Sequence, residues 1–228
     1  MPTAVVFDID GTLVTFNFDV VGAKKALIAE LASEGVDVSG VSLSFTIQEI
    51  IDYAKKVASG KSKVDFGSLR KKLYSILDES EARSAKDASV FPGTRETLLC
   101  LRRGRIRLGV LTNSGKGAAH EVLRKGKLLD SFDFILTRED VDTMKPSPDG
   151  LLKAVKGFSL PKEQVYYVGD GILDIIAAKR AGLRIISVAT GRYSQERLRD
   201  EGADYVISSL TELPSLLGLQ SIRRPQNP

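Results

Sequence analysis

The chain has 228 residues, of which 43% are hydrophobic and 27% are charged, and its formal net charge is +4. These proportions are typical of a folded globular protein and exclude a disordered or collagen-like chain. A single cysteine cannot form an internal disulfide, so a disulfide-stapled secreted fold is excluded as well.

Targeting and membrane signals are also lacking in the sequence. No segment approaches the roughly 18 uninterrupted apolar residues of a transmembrane helix, and residues 1–15 hold two aspartates but no lysine or arginine. We therefore expect a cytoplasmic protein with no membrane contact. The mild basic excess suits a small anionic substrate, whereas nucleic-acid binding would require clustered lysines and arginines. Few thermolabile residues are present, which favours a thermophilic source, and no pattern predicts an oligomeric state.

Six short segments rich in β-branched and apolar residues predict buried strands. They lie at residues 3–8, 106–112, 132–137, 165–169, 184–189 and 205–208. Helical patterns separate the later ones, at residues 94–103, 117–129, 148–158, 174–181 and 194–201. This alternation predicts right-handed βαβ units, and therefore an α/β fold with a three-layer, Rossmann-like parallel sheet.

The stretch from residue 16 to residue 90 interrupts this alternation. Apolar residues recur there at helical spacing in segments 20–33, 45–59 and 66–81, with Ser44 as the expected cap of the second helix, a polar break at 60–63 and no convincing strand. We therefore predict an all-helical cap domain at residues 16–90. It would be inserted in an α/β core of residues 1–15 and 91–220, with a flexible tail at 221–228.

Polar side chains follow several of the predicted strands at their carboxyl ends, where open α/β sheets bind ligands. They are Asp8 and Asp10, Thr112 and Asn113, Asp170 and Asp174, with Lys145 in a nearby loop. Four carboxylates so close together would repel each other, and a hard cation would neutralise them. Oxygen ligands suit Mg²⁺, and the lack of a nearby cysteine or histidine disfavours zinc.

This set of side chains suits phosphoryl transfer. Asp8 and Asp10 stand two residues apart, so that both can reach one substrate. A carboxylate is ionised at neutral pH and forms aspartyl-phosphates without help from a base. The metal and Lys145 would neutralise the phosphoryl oxygens, and a second acid would protonate the leaving group and then activate water.

Together, four segments resemble the ordered motifs of the haloacid dehalogenase superfamily. The segments are Asp8-x-Asp10-Gly11-Thr12, Thr112-Asn113-Ser114, Lys145-Pro146 and Gly169-Asp170-x-x-x-Asp174. The helical insertion is similar to the cap of that superfamily's phosphoglycolate-phosphatase type, and the resemblance covers nearly the whole chain. It implies a Mg²⁺-dependent phosphatase that hydrolyses a small phosphorylated metabolite through an aspartyl-phosphate.

The resemblance also implies a role for each matching residue. Asp8 would be the nucleophile and Asp10 the general acid and base. The implied phosphate-binding residues are Gly11, Thr112, Asn113 through its backbone, and Lys145. The implied metal site comprises Asp8, the Asp10 carbonyl, Asp170 and Asp174, the last either near the metal or as the acid that orients Lys145.

Two positions depart from the family pattern. Gly171 stands where serine or threonine is common, which removes a hydroxyl close to the metal. Residues 13–17 differ from the acid and small polar residue of many relatives, so analogy does not assign the substrate.

Three alternative functions remain to be weighed. A phosphomutase would share the chemistry but pass the phosphoryl group to a sugar. A dehalogenase acting on carbon would have no use for Asp10 and an acidic metal cluster. A non-catalytic binding or regulatory module on this fold would be expected to lose at least one catalytic acid, and none is missing here.

Overall fold

The computed structural model describes residues 2–59 and 64–219. The chain divides into two compact units, one of Met1–Phe16 with Ala88–Pro228 and the other of Asn17–Asp87. The strands are β1 (Ala4–Phe7), β2 (Val14–Thr15), β3 (Ser89–Val90), β4 (Arg107–Leu111), β5 (Phe134–Leu136), β6 (Val165–Gly169), β7 (Arg184–Val188) and β8 (Tyr205–Ile207). The helices are α1 (Val20–Ser33), α2 (Ile47–Ala58), α3 (Phe66–Ser84), α4 (Thr94–Arg103), α5 (Lys116–Lys125), α6 (Asp149–Phe158), α7 (Ile172–Ala181), α8 (Gln195–Asp200) and α9 (Leu213–Leu216).

The first unit is built on a six-stranded sheet in the order β5-β4-β1-β6-β7-β8. Every neighbouring pair in it is parallel, and helices separate most of the strands along the chain, so the predicted α/β, Rossmann-like fold is confirmed. β1 lies at the centre, with Phe7 beside Val110 of β4 and Val168 of β6. The carboxyl ends of these three strands therefore meet at one edge of the sheet.

Apolar side chains from the sheet and its helices form a continuous core in this unit. Tyr167 of β6 and Ile185 of β7 belong to it, together with Phe158 of α6 and Ile175 of α7. Burying one such side chain contributes about 1.5–3 kcal/mol. The strands read as almost uninterrupted apolar runs because both faces of the sheet are covered.

Two local features of this unit differ from the sequence-based expectation. Ser89–Val90 forms a strand where none was predicted, and it pairs antiparallel with Val14–Thr15. Two residues are too few to show the alternation by which a strand is recognised. Helix α5 ends at Lys125 rather than at residue 129, because Lys127 adopts a positive φ of 53°, which a helix cannot accommodate.

The second unit consists of α1, α2 and α3, which bury leucines and isoleucines at helical spacing, such as Leu27 and Leu31 of α1. The predicted cap segment, residues 16–90, includes this unit, and its role as a cap stays a prediction. Thr46, not Ser44, caps α2: its hydroxyl accepts from the Glu49 amide, and the Glu49 carboxylate accepts from the Thr46 amide.

The predicted polar break at 60–63 and the predicted tail at 221–228 lie outside the described residues. Within the described part of the chain, no helix combines the length and the apolar composition that crossing a membrane requires.

Candidate active site

A pocket of about 200 Å³ opens at the carboxyl edge of the sheet in the first unit. Its lining comprises Asp8, Asp10, Thr112, Asn113, Lys145, Gly171, Ile172, Leu173, Asp174 and Tyr193. Asp8 follows β1, Thr112 follows β4, and Gly171 lies between β6 and α7, so the parallel sheet itself gathers these groups. The structure thus brings together six of the eight predicted site residues in one pocket. The other two, Asp170 and Gly11, lie beside each other and are not among its lining residues.

Lys145 lies at the centre of the charged groups. Its ammonium nitrogen is 2.8 Å from Asp8 Oδ1 and 2.7 Å from Asp174 Oδ1, and all three side chains are buried. Burial alone would lower the pKa of the Lys145 ammonium, but the Asp174 and Asp8 carboxylates outweigh it and raise that pKa. Lys145 therefore carries a permanent positive charge beside Asp8.

The carboxyl groups of Asp8 and Asp170 are both harder to ionise than usual. Burial raises the pKa of Asp8 to about 6, with the Asp174 charge adding to the effect and Lys145 opposing it. Burial, followed by the charges of Asp174 and Asp8, raises the pKa of Asp170 to about 8. The cluster thus holds more negative charge than Lys145 alone can balance, and a cation bound there would lower both pKa values.

Asp174 uses both of its carboxylate oxygens within the protein. Oδ1 accepts from Lys145 Nζ and from the Tyr167 hydroxyl, and Oδ2 accepts from the Gly171 amide at 3.0 Å. Of the two roles that the sequence left open for Asp174, this geometry matches the orientation of Lys145. Its carboxylate still lies near the others, since one oxygen each of Asp8, Asp170 and Asp174 fall within 4.8 Å of one another.

Two glycines make room for the Asp170 carboxylate. A Cβ atom at Gly11 or at Gly191 would collide with Asp170 Oδ2. Position 11 also requires glycine because its φ is +76°, a backbone conformation that other residues rarely adopt. The Thr190 hydroxyl donates to the Gly11 carbonyl at 2.6 Å, which ties the loop after β7 to the loop after β1. Asp170 is therefore held in a cradle that a larger side chain would fill.

These donors fit a hard divalent cation. Asp8 and Asp170 offer carboxylate oxygens at the end of adjacent strands, and neither histidine nor cysteine lines the pocket. Oxygen donors of this kind are typical of Mg²⁺ sites that also bind phosphate. The Gly11–Gly191 cradle leaves room for the Asp170 carboxylate, and the predicted Mg²⁺ site stays a prediction.

Asp10 and Thr112 are positioned by Ser114. The Ser114 hydroxyl donates to Asp10 Oδ2 at 2.5 Å, and its amide donates to Thr112 Oγ1 at 3.0 Å. The Thr112 hydroxyl accepts the latter bond, so that bond does not use its own proton. The predicted phosphate contact of Thr112 stays a prediction.

The Asn113 side chain anchors the loop that carries Lys145. Its Nδ2 donates to the Lys145 carbonyl at 3.0 Å, and its Oδ1 accepts from the Lys145 amide at 2.8 Å. The Asn113 carbonyl in turn accepts from the buried guanidinium of Arg138 at 3.3 Å. The predicted phosphate contact of the Asn113 backbone stays a prediction.

Gly11 lies outside the pocket lining. Its amide donates to the Val14 carbonyl at 2.9 Å, within the turn that leads into β2. A role for Gly11 in binding phosphate therefore also stays a prediction.

Gly171 is not required by its backbone conformation, since its φ is −122°. A Cβ there would lie 3.3 Å from Asp174 Oδ2 and 4.0 Å from the Tyr193 ring, so a small side chain would fit after a shift of a few tenths of an ångström. The departure from the family pattern thus leaves the local fold unaffected.

Several residues around this site were not predicted from the sequence. Tyr167, Arg138, Thr190 and Gly191 all contact the predicted residues. Arg138 comes after β5, and Thr190 and Gly191 come after β7, so their position behind a strand was the signal that could have found these three. Tyr167 lies inside an apolar run, where a tyrosine indicates core packing. The available signal was its distance of seven residues from Asp174 across a strand–helix turn, which brings the two side chains together.

Comparisons with known proteins agree with this arrangement. A family model described as "Haloacid dehalogenase-like hydrolase" matches residues 5–188. A phosphoglycolate phosphatase of Nitrosospira multiformis is 28% identical over 216 residues, covering 94% of this chain and 95% of that protein. A plasmid phosphoglycolate phosphatase of Cupriavidus necator is 29% identical over 217 residues, with 94% and 93% covered. The crystal structure of a hydrolase from Pseudomonas syringae aligns with a TM-score of 0.69 and 26% identity, covering 96% of this chain and 100% of that one.

Proposed function

Because the chain belongs to the haloacid dehalogenase-like hydrolase family, we propose that it is a Mg²⁺-dependent phosphatase acting on a small phosphorylated metabolite. The observation that carries this proposal is the buried Asp8 carboxylate, paired with Lys145 at 2.8 Å in a pocket that Asp10 and Thr112 also line. Relatives named as phosphoglycolate phosphatases support the choice of reaction.

The first half of the proposed reaction forms a covalent bond to Asp8. A carboxylate oxygen of Asp8 attacks phosphorus, and the bond from phosphorus to the leaving oxygen breaks with its electron pair on that oxygen. Asp10, in its protonated form, donates a proton to the departing alkoxide. Lys145 and the Thr112 hydroxyl donate to the phosphoryl oxygens, and the free alcohol departs.

The second half of the reaction returns the enzyme to its starting state. Asp10, now ionised, accepts a proton from a water molecule that attacks the phosphorus of the aspartyl-phosphate. The bond between phosphorus and the Asp8 oxygen breaks, so that inorganic phosphate leaves and Asp8 is again a carboxylate. One water is consumed for each monoester, and Asp10 has regained its proton.

Mg²⁺ held by Asp8 and Asp170 would neutralise the negative charge on the phosphoryl group. The raised pKa of Asp170, about 8, is what a carboxylate cluster without its cation is expected to show. Lys145 supplies a second positive charge from the side of Asp174.

The test is the release of inorganic phosphate from p-nitrophenyl phosphate, phosphoglycolate, pyrophosphate and sugar phosphates, with Mg²⁺ and with EDTA. We expect release that depends on the metal. Transfer of the phosphoryl group to a sugar without release would instead identify a mutase. The absence of both phosphate release and Mg²⁺ binding would identify a non-catalytic module.

Asp10→Asn is expected to discriminate between leaving groups. On an alkyl phosphate, kcat/KM should fall by about 10²–10⁴-fold, the range typical of a lost general acid. On p-nitrophenyl phosphate it should fall by less than about tenfold, since nitrophenolate departs without a proton. The parameter kcat/KM is the one to compare, because it reports only the steps up to departure of the leaving group. Equal losses on both substrates would contradict the acid role of Asp10.

A further inference from the structure

Tyr167 contacts both members of the Lys145–Asp174 pair. It is completely buried in β6, and its hydroxyl donates to Asp174 Oδ1 at 2.8 Å. Its oxygen accepts from Lys145 Nζ at 3.0 Å, and the ammonium lies 5.7 Å from the centre of the tyrosine ring. No other phenol lies among the residues that contact Lys145 in the described part of the chain, and Tyr167 belongs to none of the four motifs.

The three protons of the Lys145 ammonium match three acceptors. These are Asp8 Oδ1, Asp174 Oδ1 and the Tyr167 oxygen, all within 3.0 Å. The phenol has a single proton, and it points to Asp174, so its lone pairs face the lysine. Burial, followed by the charge of Asp174, raises the pKa of Tyr167, which keeps that proton in place.

Of the three side chains that accept from the ammonium, Asp8 and Asp174 line the pocket and Tyr167 does not. Asp8 is the proposed nucleophile, whereas Asp174 and Tyr167 have no part in the proposed bond-forming step. When Asp8 is phosphorylated, its carboxylate loses its charge. The N–H of Lys145 that donated to Asp8 then becomes available to a phosphoryl oxygen. The other two contacts hold the nitrogen where that exchange is possible.

We propose that Tyr167 is a positioning residue, which holds the Lys145 ammonium so that one of its protons faces the phosphoryl group. This inference rests on the proposed function, because it assigns Lys145 to the phosphoryl group. Without the phenol oxygen, one donor of a buried ammonium loses its acceptor, and the lysine is free to move towards Asp8 or Asp174.

The neighbouring tyrosine provides a matched control for the experiment. Tyr166 is also buried, but successive side chains of a strand point to opposite faces, and its hydroxyl accepts from Arg184 at 2.9 Å, away from the site. Tyr167→Phe and Tyr166→Phe therefore remove the same atom from adjacent positions. Loss of one hydrogen-bonded hydroxyl leaves a protein of this size folded, and thermal unfolding of both variants verifies it.

For Tyr167→Phe we expect kcat/KM to fall by roughly 10- to 100-fold and the affinity for inorganic phosphate, measured by calorimetry, to weaken by about tenfold. Tyr166→Phe should change either quantity by less than about twofold. Unchanged phosphate affinity in Tyr167→Phe, or equal losses in both variants, would overturn the proposal, because a purely structural role affects both tyrosines alike.

A double-mutant cycle with Lys145→Ala completes the test. If Tyr167 acts through Lys145, adding Tyr167→Phe to Lys145→Ala should cost less than about twofold further. Independent, multiplying losses would overturn the proposal. If the wild-type protein releases no phosphate from any substrate, the proposed function fails on its own, and the phosphate-affinity comparison still tests the role of Tyr167.

Discussion

Asp8→Asn is expected to lower kcat by about 10⁴-fold or more, the scale of loss seen when a nucleophile is removed. An amide does not attack phosphorus. Among the described residues, Asp174 is the only other carboxylate that forms an ion pair with Lys145. That carboxylate cannot substitute for Asp8, because both of its oxygens are engaged with Lys145, Tyr167 and the Gly171 amide.

The same variant is expected to remain folded. Burial dominates the environment of Asp8 and raises its pKa to about 6, so the ionised carboxylate is costly in the folded state at neutral pH. Asparagine has nearly the same shape, and it removes that charge along with its repulsion from Asp174. We therefore expect a melting temperature equal to or above that of the wild type in EDTA.

Acid quenching of the enzyme during turnover of a substrate with a radiolabelled phosphoryl group measures the intermediate directly. The wild type should retain protein-bound label that hydroxylamine releases, and Asp8→Asn should retain none. Asp200→Asn, which changes an exposed aspartate of α8, is the control and should behave as the wild type. Label on Asp8→Asn, or turnover within tenfold of the wild type, would contradict the assignment of the nucleophile.

The parts of the site that follow strands were accessible from sequence. Asp8, Thr112 and Asp170 each come directly after an apolar run, and a parallel sheet places the carboxyl ends of neighbouring runs together. Only the order of the strands was needed to bring them into contact. The alternation of strands and helices also predicted the α/β core, because each segment was long enough to show its period.

Contacts made from within the core were not accessible in the same way. Tyr167 and Arg138 reach Lys145 and Asn113 from a strand and a short 3-10 helix whose local sequence indicates only burial or a loop. The role of each depends on which residue it contacts, and the tertiary packing decides that contact. A period in the sequence reports which face is buried, not which atom a buried hydroxyl meets.

The small differences between the predicted and the observed local structure have the same origin. Ser44 and Thr46 both offer a hydroxyl before an apolar helix, and the choice between them was settled by Glu49, which completes the reciprocal pair with Thr46. The strand of Ser89–Val90 exists because Val14–Thr15 lies beside it, far away in the sequence. In each case a partner decides the conformation.

The metal proposal predicts a reversal in stability. In EDTA, Asp170→Asn should melt at or above the wild-type temperature. Burial and the charges of Asp174 and Asp8 raise the pKa of Asp170 to about 8, so the variant removes a carboxylate that is costly to ionise in the folded protein. At about 100 times its dissociation constant, Mg²⁺ should stabilise the wild type by about 2.7 kcal/mol, a rise of roughly 5–10 °C for a chain of this size. Asp170→Asn should show almost none of this rise and should lose at least about 10²-fold in kcat.

Gly191→Ala tests the same site without changing any charge. Its methyl group would collide with Asp170 Oδ2, so the carboxylate must leave the position that it holds in the wild type. We expect the affinity for Mg²⁺, titrated by calorimetry in the absence of substrate, to fall by roughly 10- to 100-fold, while Asp200→Asn leaves it unchanged. A full Mg²⁺-dependent rise in melting temperature in Asp170→Asn would show that the ion binds elsewhere. Because the alanine variant keeps every carboxylate, loss of affinity in it separates the position of Asp170 from its charge.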